Sequence, residues 1–265
     1  MTSRLDRTFA GLRDRNGKAL IAYIMAGDPN AETTERLVLE LESAGADLIE
    51  LGVPFSDPIA DGPVIQRADE RALKQKTSLR AILAMVTRLR ERTDVPLILM
   101  TYENPVCKYG ERRFVEEAVK AGVDGVIVPD LPMEEAGPLY NQCKKHALDL
   151  IFLAAPTSPP ARLKKIAEMS RGFIYYVSMT GITGANLGDL TDVRSHVAMI
   201  KQYTQKPVVV GFGISTPERA RRIAGIADGV VVGSAVVKVI EAGAGSPAGT
   251  AQVIELVQAL KEAVG

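Results

Sequence analysis

Two carboxylates lie close together in a part of the sequence that is otherwise apolar or rich in proline. Glu50 stands in the apolar run LIEL, and Asp61 follows eleven residues later in the segment GVPFSDPIADGP. A charge among apolar residues is costly unless it is paired or has a function. One interpretation is an acid/base group at the end of a strand, with a second carboxylate supplied by the next loop. The alternative is that Glu50 lies at a strand edge and Asp61 caps a helix beginning near Pro63.

The elements that must position these carboxylates follow a regular alternation along the chain. Eight short apolar runs are separated by amphipathic helical patterns, and they occupy residues 19–25, 47–51, 96–100, 125–128, 150–154, 173–177, 207–210 and 227–232. The runs are apolar at successive positions, which is typical of parallel strands that are covered on both faces. Strand–helix alternation favours a parallel α/β fold, and eight units in about 250 residues fit a closed barrel.

The helical patterns agree with that fold class. They cover residues 2–15, 33–44, a segment beginning near Pro63, 78–92, 111–120, 134–146, 160–169, 190–203, 217–224, 235–241 and 250–263. A doubly wound open sheet is the alternative, but it usually carries Gly-x-Gly-x-x-Gly after its first strand, where this chain has AGDPN. We therefore predict a (β/α)8 TIM barrel with an extra N-terminal helix, forming a single domain over residues 1–265.

The composition limits the classes of function. Hydrophobic residues make up 46% of the chain and charged residues 24%, with a formal net charge of zero, which is ordinary for a globular protein and gives no attraction to nucleic acid or an anionic membrane. The first residues do not resemble a signal peptide, and no apolar run is long enough to span a bilayer. Cys107 and Cys143 are far apart and lack metal-ligand spacing, so we expect reduced thiols and a cytoplasmic location.

The ends of the predicted strands carry most of the remaining polar and glycine-rich segments. In a barrel of this kind the chemistry sits on the loops after the strands, and phosphate often binds after the seventh and eighth. Here those loops are GFG at residues 211–213 and GS at 233–234, which predict a phosphate site, although each alone is also compatible with a tight turn. The segment SMTGITGANLGDL after the sixth strand is either a lid or a long surface connection.

The sequence offers no residues in positions suited to other kinds of catalysis. His146 and His196 lie within helical patterns, and Lys18 and Lys206 precede their strands, at the end of the barrel opposite the expected site. The chain has no Ser-His-Asp order and no cluster with the spacing of metal ligands. Two carboxylates and a phosphate-binding region remain as the chemistry that the sequence predicts.

Seven segments together resemble the tryptophan synthase alpha chain family, in order and with the expected separations. They are ELGVPFSDPIADGPVIQ, MTYENP, GVDGVIVPDLPMEE, APTSP, YYVSMTGITGA, GFGIST and VVGSAVVK. The resemblance implies a barrel that cleaves indole-3-glycerol phosphate to indole and D-glyceraldehyde 3-phosphate. It also implies an αββα complex with a beta chain that binds pyridoxal phosphate, and no cofactor in this chain.

Site residues follow from the same resemblance. Glu50 matches the general acid/base of the family and Asp61 its second catalytic carboxylate, while residues 99–101 match walls of the indole pocket. The substrate-binding residues that it implies are Tyr102, Tyr175, Thr183, Gly184, Phe212, Gly213, Gly233 and Ser234. Two other functions stay open: a stand-alone lyase that releases free indole, and a weakly catalytic allosteric partner of the beta chain.

Overall fold

The strands form one parallel sheet. The structure is a computed structural model, and it describes residues 3–177, 190–211, 213–243 and 246–265. The strands are β1 (Ala19–Met25), β2 (Leu48–Gly52), β3 (Leu97–Met100), β4 (Gly125–Ile127), β5 (Asp149–Ile151), β6 (Leu153–Ala154), β7 (Ile174–Val177), β8 (Val208–Gly211) and β9 (Gly229–Val232). Their order in the sheet is β5-β4-β3-β2-β1-β9-β8-β7-β6.

The fifth predicted strand supplies both ends of this sheet. The run at residues 150–154 is divided at Phe152, so that β5 pairs with β4 on one side while β6 pairs with β7 on the other. Because β5 and β6 are consecutive in the chain, the sheet curls round until its two ends meet. The predicted (β/α)8 barrel is confirmed, with the difference that one of its eight strands is split into two short segments.

Helices alternate with the strands. In the described ranges they are α1 (Arg4–Asp14), α2 (Ala31–Ser43), α3 (Pro63–Lys74), α4 (Leu79–Leu89), α5 (Glu103–Tyr109), α6 (Glu111–Ala121), α7 (Gly137–His146), α8 (Pro160–Met169), α9 (Thr191–Lys201), α10 (Pro217–Ala224), α11 (Ser234–Gly243) and α12 (Pro247–Val264). Several helix predictions were wrong in detail: α4 ends at Leu89 instead of residue 92, and α12 begins at Pro247 instead of residue 250. Helix α5 was not predicted, and α7 begins three residues later than expected because a turn built on Pro132 precedes it and Pro138 occupies its first turn.

Alternate residues of the strands face two separate cores. The outer core lies between strands and helices, and the inner core fills the barrel. In β1 the inward residues are Ala19, Ile21, Tyr23 and Met25, whereas Leu20, Ala22 and Ile24 face outward. This division follows from the two-residue period of a strand. It also decides which strand residues can reach the interior of the barrel, where Glu50 lies.

Helix α1 covers the end of the barrel at which the strands begin. Its buried residues Leu5, Phe9 and Leu12 belong to the inner core, and the Phe9 ring packs on the Phe173 ring with 5.6 Å between centroids. Leu5 fits against Gly172, where an added Cβ would lie only 2.9 Å from the Leu5 Cδ1 atom. The extra N-terminal helix is therefore part of the inner core, and it covers the barrel interior at the end opposite the predicted site.

Three aspartates at the same end hold neighbouring strands in register. Asp47, Asp124 and Asp228 stand immediately before β2, β4 and β9, and each accepts a hydrogen bond of 2.8–2.9 Å from a backbone N–H of the adjacent strand, at Leu20, Leu97 and Val208 respectively. Each is also ion-paired, with Lys261, Arg90 and Lys201. Three ion-paired aspartates thus connect neighbouring strands where the strands begin.

The packing of α1 leads to a test of stability. Leu5→Ala should lower the free energy of unfolding by about 2–5 kcal/mol, because a fully buried side chain leaves a cavity between helix and barrel. Urea denaturation of the isolated chain measures this loss. Leu73→Ala, at a position that is 37% exposed, is the matched control and should cost far less. Equal losses for the two variants would contradict the role given to α1.

Candidate active site

Glu50 lies inside the barrel, on the middle residue of β2. Its Cα is paired with that of Tyr23 in β1 and that of Ile98 in β3, so its side chain shares the inward face with theirs. The residue is completely buried, and neither Oε1 nor Oε2 has a hydrogen-bond partner among the described residues. A carboxyl group in this position does not lie at a strand edge, so the alternative interpretation of Glu50 as a strand-edge residue is wrong.

Burial determines the protonation state of Glu50. Loss of solvation is the main cause, and the nearby charge of Asp61 the second, of a rise in the pKa of Glu50 to about 8. The side chain therefore carries its proton at neutral pH and can release it just above neutrality. A pKa close to the working pH is the property that a general acid/base requires.

Asp61 is held by a directed hydrogen-bond chain from the loop after β2. The Ala60 N–H donates to the Tyr102 hydroxyl oxygen over 3.1 Å, and that hydroxyl donates to Asp61 Oδ2 over 2.7 Å. Burial raises the pKa of Asp61, and the bond from Tyr102 opposes the rise. Asp61 does not cap α3, because the N-cap residue is Gly62 and no side-chain bond closes that end.

Tyr23 is a residue of this site that the sequence analysis missed. Its ring is buried, and a Cβ added to Gly52 would lie 2.2 Å from the Tyr23 hydroxyl oxygen, so only glycine at that position leaves room for the phenol. Burial and then the charges of Asp61, Asp69 and Glu50 raise the pKa of Tyr23 well above its usual value. The only clue in the sequence was a single phenol in an otherwise apolar run.

Tyr175 makes the matching arrangement across the barrel. It lies on β7, and a Cβ at Gly211 of β8 would be 2.2 Å from its hydroxyl oxygen. Burial first, then the charges of Glu50 and Asp61, raise the pKa of Tyr175 well above its usual value. The structure therefore brings Tyr175 near both carboxylates, as expected for a residue that lines the same space.

The expected phosphate-binding residues follow β8 and β9. Gly213 has a φ of +70°, which favours glycine, while Gly233 directly follows β9 and Ser234 begins α11. A Cβ at Gly233 would meet the Tyr23 ring at 3.5 Å. A helix N-terminus and the loop N–H groups beside it attract anions. Thr183, Gly184 and Phe212 lie outside the described residues, as does the candidate lid except for Leu190.

These positions form a continuous arc around the open end of the barrel. In sheet order, β3 leads to Tyr102, β2 carries Glu50, β1 carries Tyr23, β9 leads to Gly233 and Ser234, β8 leads to Gly213, and β7 carries Tyr175. Of the predicted walls at residues 99–101, Met100 belongs to the inner core, but Leu99 faces the outer core and does not line the interior.

Helix α3 connects the two halves of this arc. Arg71 donates to both carboxylate oxygens of the buried Asp28, each over 2.7 Å, and also to Glu241 over 2.8 Å. Arg67 binds the same Glu241 through two hydrogen bonds. Because Glu241 lies on α11, the helix that begins after the carboxylate loop is fixed to the helix that begins at the expected phosphate site.

Asp69 is a third buried carboxylate near the site, and it was also missed. It accepts a hydrogen bond from the Phe55 N–H, and burial raises its pKa to about 7, with the charge of Asp61 adding to the rise. The sequence contained a clue, because Asp69 stands within the apolar pattern of Ile65, Ala68 and Ala72 on α3.

Two further features of the described residues bear on function. No group of three or more His, Cys, Asp or Glu side chains within them could hold a metal ion. None of the helices in those ranges is both long and apolar enough to cross a membrane.

Comparison with known proteins agrees with this geometry. The family model of the tryptophan synthase alpha chain matches residues 9–265. The alpha chain of Geotalea uraniireducens is 56% identical over 239 residues, covering 90% of each chain, and that of Geobacter sulfurreducens is 51% identical over 99% of each. The chain belongs to the tryptophan synthase alpha chain family. The crystal structure of the alpha subunit from Legionella pneumophila superposes with a TM-score of 0.93 at 39% identity, covering 100% of this chain and 99% of that one.

Membership of the tryptophan synthase alpha family confirms the expected class of function. The chain is the lyase subunit of tryptophan biosynthesis, acting on indole-3-glycerol phosphate. Both the family and the barrel were predicted from the sequence, and the comparisons bear them out. The roles of individual residues stay predictions, and the geometry above is what supports them.

The buried acid of this alpha chain leads to a prediction about stability and pH. The folded chain holds the Glu50 proton up to a pKa of about 8, whereas the usual pKa is 4.5. Between these values the folded state binds the proton and the unfolded state does not, so the free energy of unfolding falls as pH rises. Relative to the wild type, Glu50→Gln should therefore gain stability across this window, by at most about 5 kcal/mol.

Urea denaturation at pH 4.5 to 8 measures this difference. Glu91→Gln, which neutralises an exposed carboxylate on the surface, is the control and should show no comparable gain. A Glu50→Gln difference that stays constant over the whole window would contradict a buried, protonated Glu50.

Proposed function

We propose that Glu50 is the general acid and base that cleaves indole-3-glycerol phosphate in this chain. The observation that carries the proposal is a completely buried carboxyl group without a hydrogen-bond partner in the described structure, facing the interior beside Asp61. Cleavage requires a proton at indole C3 and removal of a proton from the hydroxyl next to the bond that breaks. A carboxyl group with a pKa of about 8 is suited to both transfers.

The proposed steps balance in protons and electrons. Glu50 gives its proton to indole C3, which creates a cationic indolenine. The resulting carboxylate then takes the proton of the adjacent side-chain hydroxyl, and that oxygen forms the aldehyde carbonyl as the carbon–carbon bond breaks. The bonding electrons return to the ring, which releases indole and D-glyceraldehyde 3-phosphate. Glu50 is protonated again at the end, so one residue completes the cycle.

Asp61 is proposed to accept the indole N–H and stabilise the cationic indolenine. Its carboxylate is oriented by the Tyr102 hydroxyl, and an oriented charge stabilises a transition state without reorganisation. At the other end of the substrate we assign the phosphate to Gly213, Gly233 and Ser234. Thr183, Gly184, Phe212 and Tyr175 keep the substrate-binding roles that the resemblance implies. Because proton transfer and charge stabilisation suffice for this reaction, we propose that the chain uses no cofactor of its own.

A beta chain that carries pyridoxal phosphate is the proposed partner, in an αββα complex in the cytoplasm. The support in this chain is a groove of mixed polarity beside the site, in which two large apolar side chains are exposed. Ile59 is 82% exposed and Leu73 is 37% exposed, and both line a groove of about 350 Å³ below the loop that carries Asp61. Large exposed apolar side chains in one groove are typical of a protein interface. Both cysteines are free thiols, which agrees with a reducing compartment.

The carboxylate roles can be tested by steady-state assay of indole release. Glu50→Gln should abolish turnover while inorganic phosphate binding stays near that of the wild type, because the amide cannot exchange the proton. Asp61→Asn should lose about 2–4 kcal/mol of transition-state stabilisation. Asp14→Asn, at an exposed position on α1, is the matched control and should be fully active. Wild-type turnover by Glu50→Gln would overturn the assignment.

The partner surface is tested by Ile59→Ser. The polar side chain should weaken binding of the beta chain about tenfold or more, because it removes the most exposed large apolar side chain of the described residues. Sedimentation velocity with the beta chain measures the complex, and circular dichroism checks the fold. Tyr203→Ser, at another exposed apolar position outside the groove, is the control.

Indole production with and without the beta chain separates the three functions. Activation by the partner supports an alpha subunit, and full activity alone supports the stand-alone lyase. Activity that stays negligible in the complex supports the allosteric partner.

A further inference from the structure

Asp69 joins the two ends of the loop that carries Asp61. The loop leaves β2 after Gly52 and ends at Gly62, the N-cap residue of α3. Asp69 lies in the second turn of α3, and its Oδ1 accepts the N–H of Phe55 over 3.0 Å. The side chain is buried, and Oδ2 has no partner among the described residues. The beginning of the loop is thus bonded to the helix that follows its end.

The side chain of Phe55 connects this bond to Tyr102 through a ring contact. The two rings pack with 5.1 Å between centroids and an angle of 31° between their planes. Tyr102 in turn accepts the Ala60 N–H and donates to Asp61 Oδ2. The contacts therefore run from Asp69 through the Phe55 backbone and ring to the Tyr102 phenol, and end on the carboxylate proposed to stabilise the cation.

We propose that Asp69 is a positioning residue that sets the place of Asp61 through Phe55 and Tyr102. The inference rests on the proposed role of Asp61. It assigns Asp69 no contact with substrate, because its contacts are made with the loop. A displacement of about 1 Å in a catalytic group costs on the order of a hundredfold in rate, so one backbone bond at the start of the loop is enough to matter.

The acceptor atom, rather than the negative charge, is the feature that this role needs. Within the described part of the chain, the titratable groups that interact with Asp69 are Asp61, Glu70, Tyr23 and Tyr102, and none of them is a cation that a charge on Asp69 would attract. An amide oxygen can accept the Phe55 N–H as a carboxylate does. Asparagine should therefore be able to replace Asp69. Leucine has the same number of side-chain heavy atoms and the same branching at Cγ, but it removes the acceptor and leaves the Phe55 N–H without a partner.

The test compares Asp69→Asn with Asp69→Leu in the full chain, assayed for indole release in the presence of the beta chain. Asp69→Asn should keep kcat within about threefold of the wild type, since the bond is retained. Asp69→Leu should lower kcat by about ten- to a hundredfold. Its KM should change much less, because the phosphate end of the substrate is bound by other loops. A purely structural role would instead lower the yield of folded chain, and kcat per folded molecule would be unchanged.

The double variant Asp61→Asn/Asp69→Leu decides whether Asp69 acts through Asp61. If it does, the second substitution adds little to the loss caused by Asp61→Asn alone. If the losses of kcat in the two single variants multiply fully in the double variant, the positioning role is overturned. A wild-type kcat in Asp69→Leu would also overturn it, as would a loss of kcat in Asp69→Asn equal to that in Asp69→Leu. If Asp61→Asn alone keeps wild-type turnover, the proposed role of Asp61 fails instead, so the two failures are distinct. Thermal melting of each variant identifies any loss that comes from unfolding.

Discussion

The burial of the Glu50 carboxyl group inside the barrel is the constraint on which the site depends. A buried carboxyl group avoids the cost of an isolated charge by keeping its proton, and a nearby negative charge reinforces that choice. Asp61 supplies the charge, and the neighbours on the inner face, Tyr23 and Ile98, are uncharged at neutral pH. An adjacent lysine or arginine would stabilise the carboxylate and lower its pKa. Glu50 would then lose, at neutral pH, the proton that the reaction needs. The tyrosine–glycine pairs place two phenols around this space without adding a cation.

Ion pairs occur at both ends of the barrel, since Arg71 pairs with Asp28 and Glu241 near the open end, but among the described residues the carboxylates Glu50 and Asp69 of the site have no cation partner. Where the strands begin, the aspartates are paired with lysine or arginine and bonded to neighbouring strands, and α1 closes the inner core. Where the strands end, the carboxylates Glu50 and Asp69 are buried with oxygen atoms that lack partners in the described structure. Such groups cost stability, and a protein keeps them only when the rest of the fold compensates.

The sequence predicted the fold and part of the site because some of the physics is local. Alternating apolar runs and amphipathic helices predict a barrel without any knowledge of contacts. The position of Glu50 in an apolar strand made it a candidate acid/base residue. The division of the fifth strand at Phe152 depends on pairing with β4 and β7, which are distant in sequence. Tyr23 was missed for the same reason, since its role depends on the register that places its phenol over Gly52. The role of Asp69 could be predicted only by knowing which face of α3 is buried and that the Phe55 backbone lies against that face. Contacts of this kind are properties of the folded chain.

The loop between β2 and α3 combines the site and the proposed partner surface in ten residues, 53–62. Its inward bonds run from Phe55 to Asp69 and from Ala60 and Asp61 to Tyr102, while Ile59 points outward and is almost fully exposed. Only Ala60 separates the exposed side chain from the carboxylate, and its N–H is bonded to the same phenol that orients Asp61. A beta chain bound at the proposed surface would therefore contact the loop one residue away from the Ala60–Tyr102–Asp61 hydrogen bonds. The proposed partner contact and the proposed catalytic carboxylate therefore lie two residues apart in one loop, which the bonds to Asp69 and Tyr102 hold in place.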